Sequence, residues 1–346
     1  MFPYEVARTR PGACPSRGMP SPPANPTRRA FLALALTAFH LRPASAQPAR
    51  TSHRIGWVST ETQPDPFIEG FREGLKKYGY TEGQDVILEV RYAPGNPQGL
   101  QGVVSELMNL KVNFIVSSGP AIQVMKAADA VPVLFCISGD PIELGIANSL
   151  ARPGRNFTGS TFLSLEIAGK RVELLKQALP RMRTLAVLSN TSHPGEKSER
   201  RATEAAAQSL GVALTYFPFA TVGALDSALG GIRDARLDAI IVFPDRSTLV
   251  NRAKIAQFAI AQRLPSMFGW SEYCHAGGLM SYGANQRETY VRLAAYADKL
   301  IRGASPAELP IEQPATFELV LNLKTAKAIG VTIPQSLLVR ADEVIR

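Results

Sequence analysis

Beyond residue 53 the chain alternates short apolar, β-branched runs with segments of helical period, the pattern of a parallel sheet whose strands are joined by helices. Residues 54–58 read as a first strand, with Trp57 inside it as a core residue. Phe67, Phe71, Leu75 and Tyr78 then share one helical face, and Gly79 stands where that helix should end. Strands are expected at 86–90, 112–116 and 131–137, the last apolar enough to lie mid-sheet, with a helix over 100–110. At 156–162 the rhythm changes: a polar strand-like stretch leads into a helix over 166–179 stopped by Pro180. Strands at 185–188, 212–217 and 239–243 then alternate with helices over 202–210, 225–232 and 249–262. A third portion holds a strand at 278–282 and a helix on which Tyr290, Leu293, Ala294, Ala297 and Ile301 keep helical spacing. A proline-rich passage (Pro306, Pro310, Pro314), a strand at 317–321 and two short helices complete it.

Two α/β sets of similar size, followed by a part able to return to each, imply two lobes with several crossings between them. One lobe is expected over 51–160 plus about 282–316, the other over 161–281 plus about 323–346, with crossings near 159–163, 276–284 and 317–323. Ligands of open α/β sheets bind outside the carboxyl ends of strands, and domain interfaces favour pockets. The space between the lobes is therefore where a site is expected.

The N-terminal segment changes the picture of where the protein works. Thr27-Arg28-Arg29-Ala30-Phe31-Leu32, an apolar run over 31–41 and Ala44-Ser45-Ala46 read as an export signal (1–46) with a twin-arginine pair and a cleavage site near Ala46. The apolar run is far short of the roughly 20 residues a spanning helix needs. Met19 is an alternative start, since the residues before it are proline-rich and long for such a leader. An exported protein works without cytosolic ATP or NAD, which disfavours many enzyme classes.

Removing the leader takes away six arginines and one acid, leaving 32 basic and 28 acidic residues, a net of +4. The basic residues are spread out, so the clustered patch of a nucleic-acid binder is not found. Cys136 and Cys274 are expected to be free and buried rather than joined. His53, His193 and His275 stand far apart, and no metal-ligand spacing is present, so neither a metal nor a cofactor is expected.

Three motifs carry a resemblance: Gly139-Asp140-Pro141-Ile142-Glu143-Leu144-Gly145, Arg152-Pro153-Gly154-Arg155-Asn156-Phe157-Thr158-Gly159 and Gly277-Gly278-Leu279-Met280-Ser281-Tyr282-Gly283. The tail adds 317–327 and Arg340-Ala341-Asp342-Glu343-Val344. In their order and spacing, from about Ile55 to Arg346, these resemble the bacterial ABC-transporter substrate-binding proteins related to the tryptophan-associated (TrpX-like) binding proteins. The resemblance implies an α/β fold of two Rossmann-like lobes joined by three hinge crossovers, of the periplasmic-binding-protein-like I type, and a ligand held by closure. It also implies a periplasmic receptor delivering a small solute to an ABC permease and its ATPase, and it suggests an aromatic amino acid; a small carboxylate-bearing solute, an amino acid, is expected, and a monomer. Cys136-Ile137-Ser138 stands where such proteins usually have small, uncharged residues before Gly-Asp-Pro, and Cys274-His275 sits where they vary.

Small polar residues recur where strands end: Ser59 and Thr60, Ser117 and Ser118, Ser138 and Asp140, Asn190, and Asp245. Each serves equally as a helix cap or as a donor to a carboxylate ligand at a helix N-terminus. Asp245 is the better expected partner for a ligand amine, because Asp140 sits in a Gly-Asp-Pro turn. Trp270 and Tyr282 are placed to wall an apolar or aromatic group, and Thr161 with Gly159 and Gly283 lies at crossings. An enzyme is not expected, since no nucleophile elbow, phosphate loop or dinucleotide fingerprint occurs. Two other readings stay open: a periplasmic sensing module for a membrane receptor, and an exported hydrolase or isomerase.

Overall fold

The computed structural model describes residues 52–59, 65–93, 97–118, 121–126, 131–162 and 165–346. The export signal read at 1–46 and the candidate Thr60 lie outside them.

The first lobe is built on a sheet of β1 (His53–Ser59), β2 (Val86–Tyr92), β3 (Phe114–Ser118), β4 (Val133–Ile137) and β5 (Phe157–Thr161). Its order is β2-β1-β3-β4-β5 and every pair is parallel. Parallel strands need crossover helices on both faces, here α1 (Pro66–Lys77), α2 (Pro97–Asn109) and α3 (Ala121–Met125). All five residues of β4 are buried, as its uniformly apolar sequence requires. Asp65 starts α1: its side chain accepts from the Phe67 N–H at 3.0 Å, with Pro66 in the first turn where its missing N–H costs nothing.

The second sheet contains β6 (Thr184–Asn190), β7 (Ala213–Phe219), β8 (Ala239–Val242), β9 (Ser266–Phe268), β10 (Met280–Gly283), β11 (Glu318–Asn322) and β12 (Glu343–Ile345). The order is β12-β11-β10-β9-β8-β6-β7, with β10 and β11 the antiparallel pair. Its helices are α4 (Leu165–Ala178), α5 (Glu196–Ser209), α6 (Leu225–Ala235), α7 (Arg246–Val250), α8 (Arg252–Ala261) and α9 (Ser271–His275), then α11 (Leu323–Ile329) and α12 (Gln335–Leu338). Between β10 and β11 the chain leaves for α10 (Gln286–Ile301), which packs along α1 of the first lobe.

The chain thus passes between sheets three times: after β5, after β10, and between Glu312, whose N–H donates to the Gly159 carbonyl at 2.9 Å, and Glu318 at the start of β11. The last passage falls earlier than 317–323, because 318–322 is itself a strand of the second sheet. The second follows Gly283 rather than spanning 276–284, since 280–283 pairs with β9 and β11.

Several short elements were not foreseen: strands β9 and β12, with three residues each, and helices α3 and α9, with five each. None is long enough to show a period. The helix expected over 249–262 is two helices broken at Asn251. Cys136 and Cys274 are free and buried, and Trp57 is in the core at 2% exposure.

Candidate functional site

The carboxyl ends of both sheets face one another, and a cavity of about 300 Å³, counting its open mouth, lies between them. Phe67, Cys136, Ser138, Gln286 and Tyr290 approach it from one side, and His193, Asp245, Arg246 and Trp270 from the other, with Phe162 beside them on the first passage. A second space of about 370 Å³ adjoins it, sharing Ser138, Phe162 and Trp270 and reaching Arg171, Glu199 and Pro244.

Arg246 crosses from the second lobe to the first. It pairs with the Asp65 carboxylate, donates to Ser59 Oγ at 3.3 Å and lies 4.5 Å above the Phe67 ring. Both charged side chains are almost wholly buried, at 5% and 0% exposure, so this pair is held in a low dielectric. Asp65 has further support within its own lobe: the Trp57 indole donates to it at 2.9 Å. The Phe67 ring stacks on Tyr290 at 4.7 Å, and Phe162 meets Trp270 edge-on at 6.2 Å, so aromatic faces from both lobes wall the chamber.

A second contact between lobes is formed by the turns at 138–144 and 193–201. Ser138 Oγ and His193 Nε2 are 2.7 Å apart. Ser198 Oγ donates to Glu143 at 2.7 Å, and Arg201 donates to the same carboxylate at 2.9 Å. Gly195 closes against the Ser138 backbone: a Cβ there would stand 1.8 Å from the Ser138 carbonyl oxygen. Burial pushes the His193 imidazole down to about 4, so the ring is neutral near pH 7.

Behind the chamber, Arg171 pairs with Glu199 at 2.5 Å and donates to the Tyr282 carbonyl at 2.8 Å. Burial pushes the Glu199 carboxyl up to about 7, against the pull of Arg171. Burial likewise pushes the Cys136 thiol up, leaving it protonated and unreactive.

Of the residues singled out from sequence, the fold brings Ser138, Asp245 and Trp270 to the cavity wall. Ser59 is there through Arg246. Ser117 is buried on β3, its hydroxyl lacking a partner among the described residues, and Ser118 ends the same strand. Asn190 accepts from the Ser192 N–H at 3.0 Å and reaches toward Asp245 and Ser247. Asp245 also caps α7 through the Ser247 and Thr248 N–H groups. Thr161 donates to the Gly139 carbonyl at 2.8 Å. Ser117, Asn190 and Thr161 are not among the lining residues, and neither are Asp140 and Tyr282. Asp140 accepts from the Ile142 N–H at 2.7 Å and fixes its own turn, and Tyr282 packs against Phe317. Phe67, Phe162, His193, Arg246, Gln286 and Tyr290 were missed as site residues. Phe67 and Tyr290 carried only a core signal, whereas Arg246 stood next to an expected ligand contact.

Residues 61–345 match the family described as ABC transporter substrate binding protein. A tyrosine-binding protein of Clostridioides difficile is 22% identical over 268 residues, which cover 77% of this chain and 76% of that protein. An ABC domain from Streptococcus pneumoniae, solved in complex with L-Trp, superposes with a TM-score of 0.79 at 25% identity, covering 85% of this chain and 100% of the other. A conserved domain protein of Vibrio cholerae gives 0.78 at 23% identity, covering 85% and 99%.

Proposed function

The chain belongs to the ABC transporter substrate-binding protein family, and we propose that it captures an aromatic, carboxylate-bearing solute, an amino acid, between its lobes and delivers it to a membrane permease driven by a separate ATPase. The observation that carries this reading is the interlobe cavity itself. Phe67, Phe162, Trp270 and Tyr290 line it from both sides, and buried Asp245 supplies a charge opposite to a solute ammonium beside the Asp65-paired Arg246. Aromatic walls give a planar side chain area and ring–ring geometry, while a few fixed polar groups orient it. The tyrosine-binding and L-Trp-bound relatives have ligands of the same chemistry.

Ligand contacts in this reading are Ser138, Asp245 and Trp270, joined by Phe67, Phe162 and Arg246, with Ser59 acting through Arg246. Binding shifts the population toward the form in which the lobes meet, and the faces around the cavity mouth dock on the permease. With residues 27–46 read as an export signal, the mature protein in this reading works in the periplasm after cleavage near Ala46.

Catalysis finds little support. Ser138 and His193 have the separation of a nucleophile–base pair. Burial, however, takes His193 well below the range of a working base, and no carboxylate orients its Nδ1 among the described residues.

Thermal denaturation against a panel of amino acids, aromatic acids, sugars and polyamines tests the proposal. A ligand at about 100 times its Kd stabilises by about 2.7 kcal/mol, which raises Tm by on the order of 5 °C for a protein of this size. L-tryptophan or L-tyrosine should give such a shift. A transition moved only by sugars or polyamines would end the reading.

A further inference from the structure

We propose that Gln286 reads the carboxylate of the bound solute; this rests on the receptor reading above. Gln286 is the first residue of α10, is 1% exposed and lines the interlobe cavity beside Phe67, Arg246 and Tyr290. Its Nε2 has no hydrogen-bond partner among the described residues. A buried donor left in that state costs roughly 1–3 kcal/mol, so an amide here is poor packing unless something else completes it.

Three surroundings identify the chemistry of what completes it. First, α10 is 16 residues long and its amino end borders the cavity, where unpaired first-turn N–H groups and the helix dipole favour an anion. The Asn285 side chain satisfies the Glu288 N–H, so capping is already provided without Gln286. Second, the Arg246 guanidinium reaches across from the opposite wall but is engaged by Asp65 and Ser59, so the local charge is balanced before a solute arrives. A neutral donor beside that pair accepts a carboxylate without adding a second cation. Third, Tyr290 lies one helical turn along α10 and stacks on Phe67, which fixes the face on which Gln286 stands. The solute's carboxylate then sits at the amino end of α10, and its ring extends toward Phe162 and Trp270.

The position has a mechanical side. Gln286 is three residues past β10, on the passage from the second sheet to a helix packed on the first lobe. A solute held by Gln286 therefore grips the connection as well as the jaws.

Calorimetric titration of the purified protein with L-tryptophan, L-tyrosine and their carboxylate-free amines, tryptamine and tyramine, tests this. Wild type should bind the amino acids at least tenfold more tightly than the amines. Gln286→Met, which keeps the volume and removes the donor, should lower amino-acid affinity at least tenfold, leave the amines within twofold and retain a cooperative melting transition. Gln286→Glu should weaken the amino acids further by like-charge repulsion. Equal affinity of Gln286→Met and wild type for the amino acids overturns the assignment alone. Tighter amino-acid binding by Gln286→Glu also overturns it, since the residue would then face the ammonium. A wild-type protein that binds none of the aromatic carboxylates overturns the receptor reading and the role of Gln286 with it.

Discussion

Gly195 offers a substitution that separates the fold of one lobe from the meeting of the two. Its backbone is in the right-handed helical region (φ −88°, ψ −3°), a conformation alanine adopts without strain. Within its own lobe the methyl group meets the His193 ring at 3.1 Å. Across the gap it would stand 1.8 Å from the Ser138 carbonyl oxygen and 2.8 Å from its carbon, backbone atoms that have no rotamer to yield with. To reach ordinary contact the turns at 138–139 and 193–195 must separate by more than an ångström. That lengthens the Ser138–His193 hydrogen bond and the Glu143 contacts of Ser198 and Arg201. Overpacking of this kind costs about 1–3 kcal/mol, and if all of it falls on the closed form, ligand affinity drops roughly 5–150-fold. Gly195→Ala is therefore expected to keep the unliganded melting temperature, weaken ligand binding by that range, and show reduced ligand-induced compaction in small-angle scattering. Wild-type affinity together with full compaction would refute the view that this contact limits closure.

Removing one member of the buried Arg246–Asp65 pair leaves an uncompensated charge, so Arg246→Met is expected to destabilise by about 3–5 kcal/mol in urea unfolding, and the double change with Asp65→Asn to recover much of that loss. A double variant no more stable than Arg246→Met would show the two charges to be uncoupled. For His193 the folded value near 4 lies below the ordinary 6.5, so the native state favours the neutral ring. Its contribution is complete above pH 6.5 and lost as pH falls through 4. Glu199, raised to about 7, works in the opposite sense, losing its contribution as pH rises through that value. The His193 effect is thus read as a difference. The stability advantage of wild type over His193→Asn should shrink between pH 6.5 and 4, and a constant gap would contradict the burial argument.

The alternation of runs such as Val-Leu-Phe-Cys-Ile at 133–137 with amphipathic helices was enough to recover the first sheet, all of the second except its three-residue strands β9 and β12, and the return of the chain to each. Strand ends were legible for the same reason, which is why Ser138 and Asp245 were singled out and lie at the cavity, whereas Trp270, also there, stood out as an aromatic beside an expected crossing. What escaped is set by contacts between elements remote in sequence. Asp65 and Arg246 are a cap and a helix start until folding puts them together. Phe67 and Tyr290 have the helical spacing of core residues and are core residues, yet the same rings form the chamber wall. Asp140 shows the converse: a carboxylate in a turn-forming tripeptide was retained as a ligand contact, and the turn's own N–H groups occupy it.

The supports of the Arg246–Asp65 bridge are unequal. Asp65 keeps the Trp57 indole and the Phe67 amide whether or not its partner is present, whereas Arg246 draws its named charge and ring contacts from the opposite jaw. When the jaws part, the guanidinium regains its hydration and the carboxylate stays tethered. Shutting on a vacant chamber must strip that hydration again, and the re-formed pair only roughly offsets it, with no cargo to tip the balance. Under the proposed receptor reading, an empty molecule is thereby biased to gape, which would keep unladen copies from competing with laden ones.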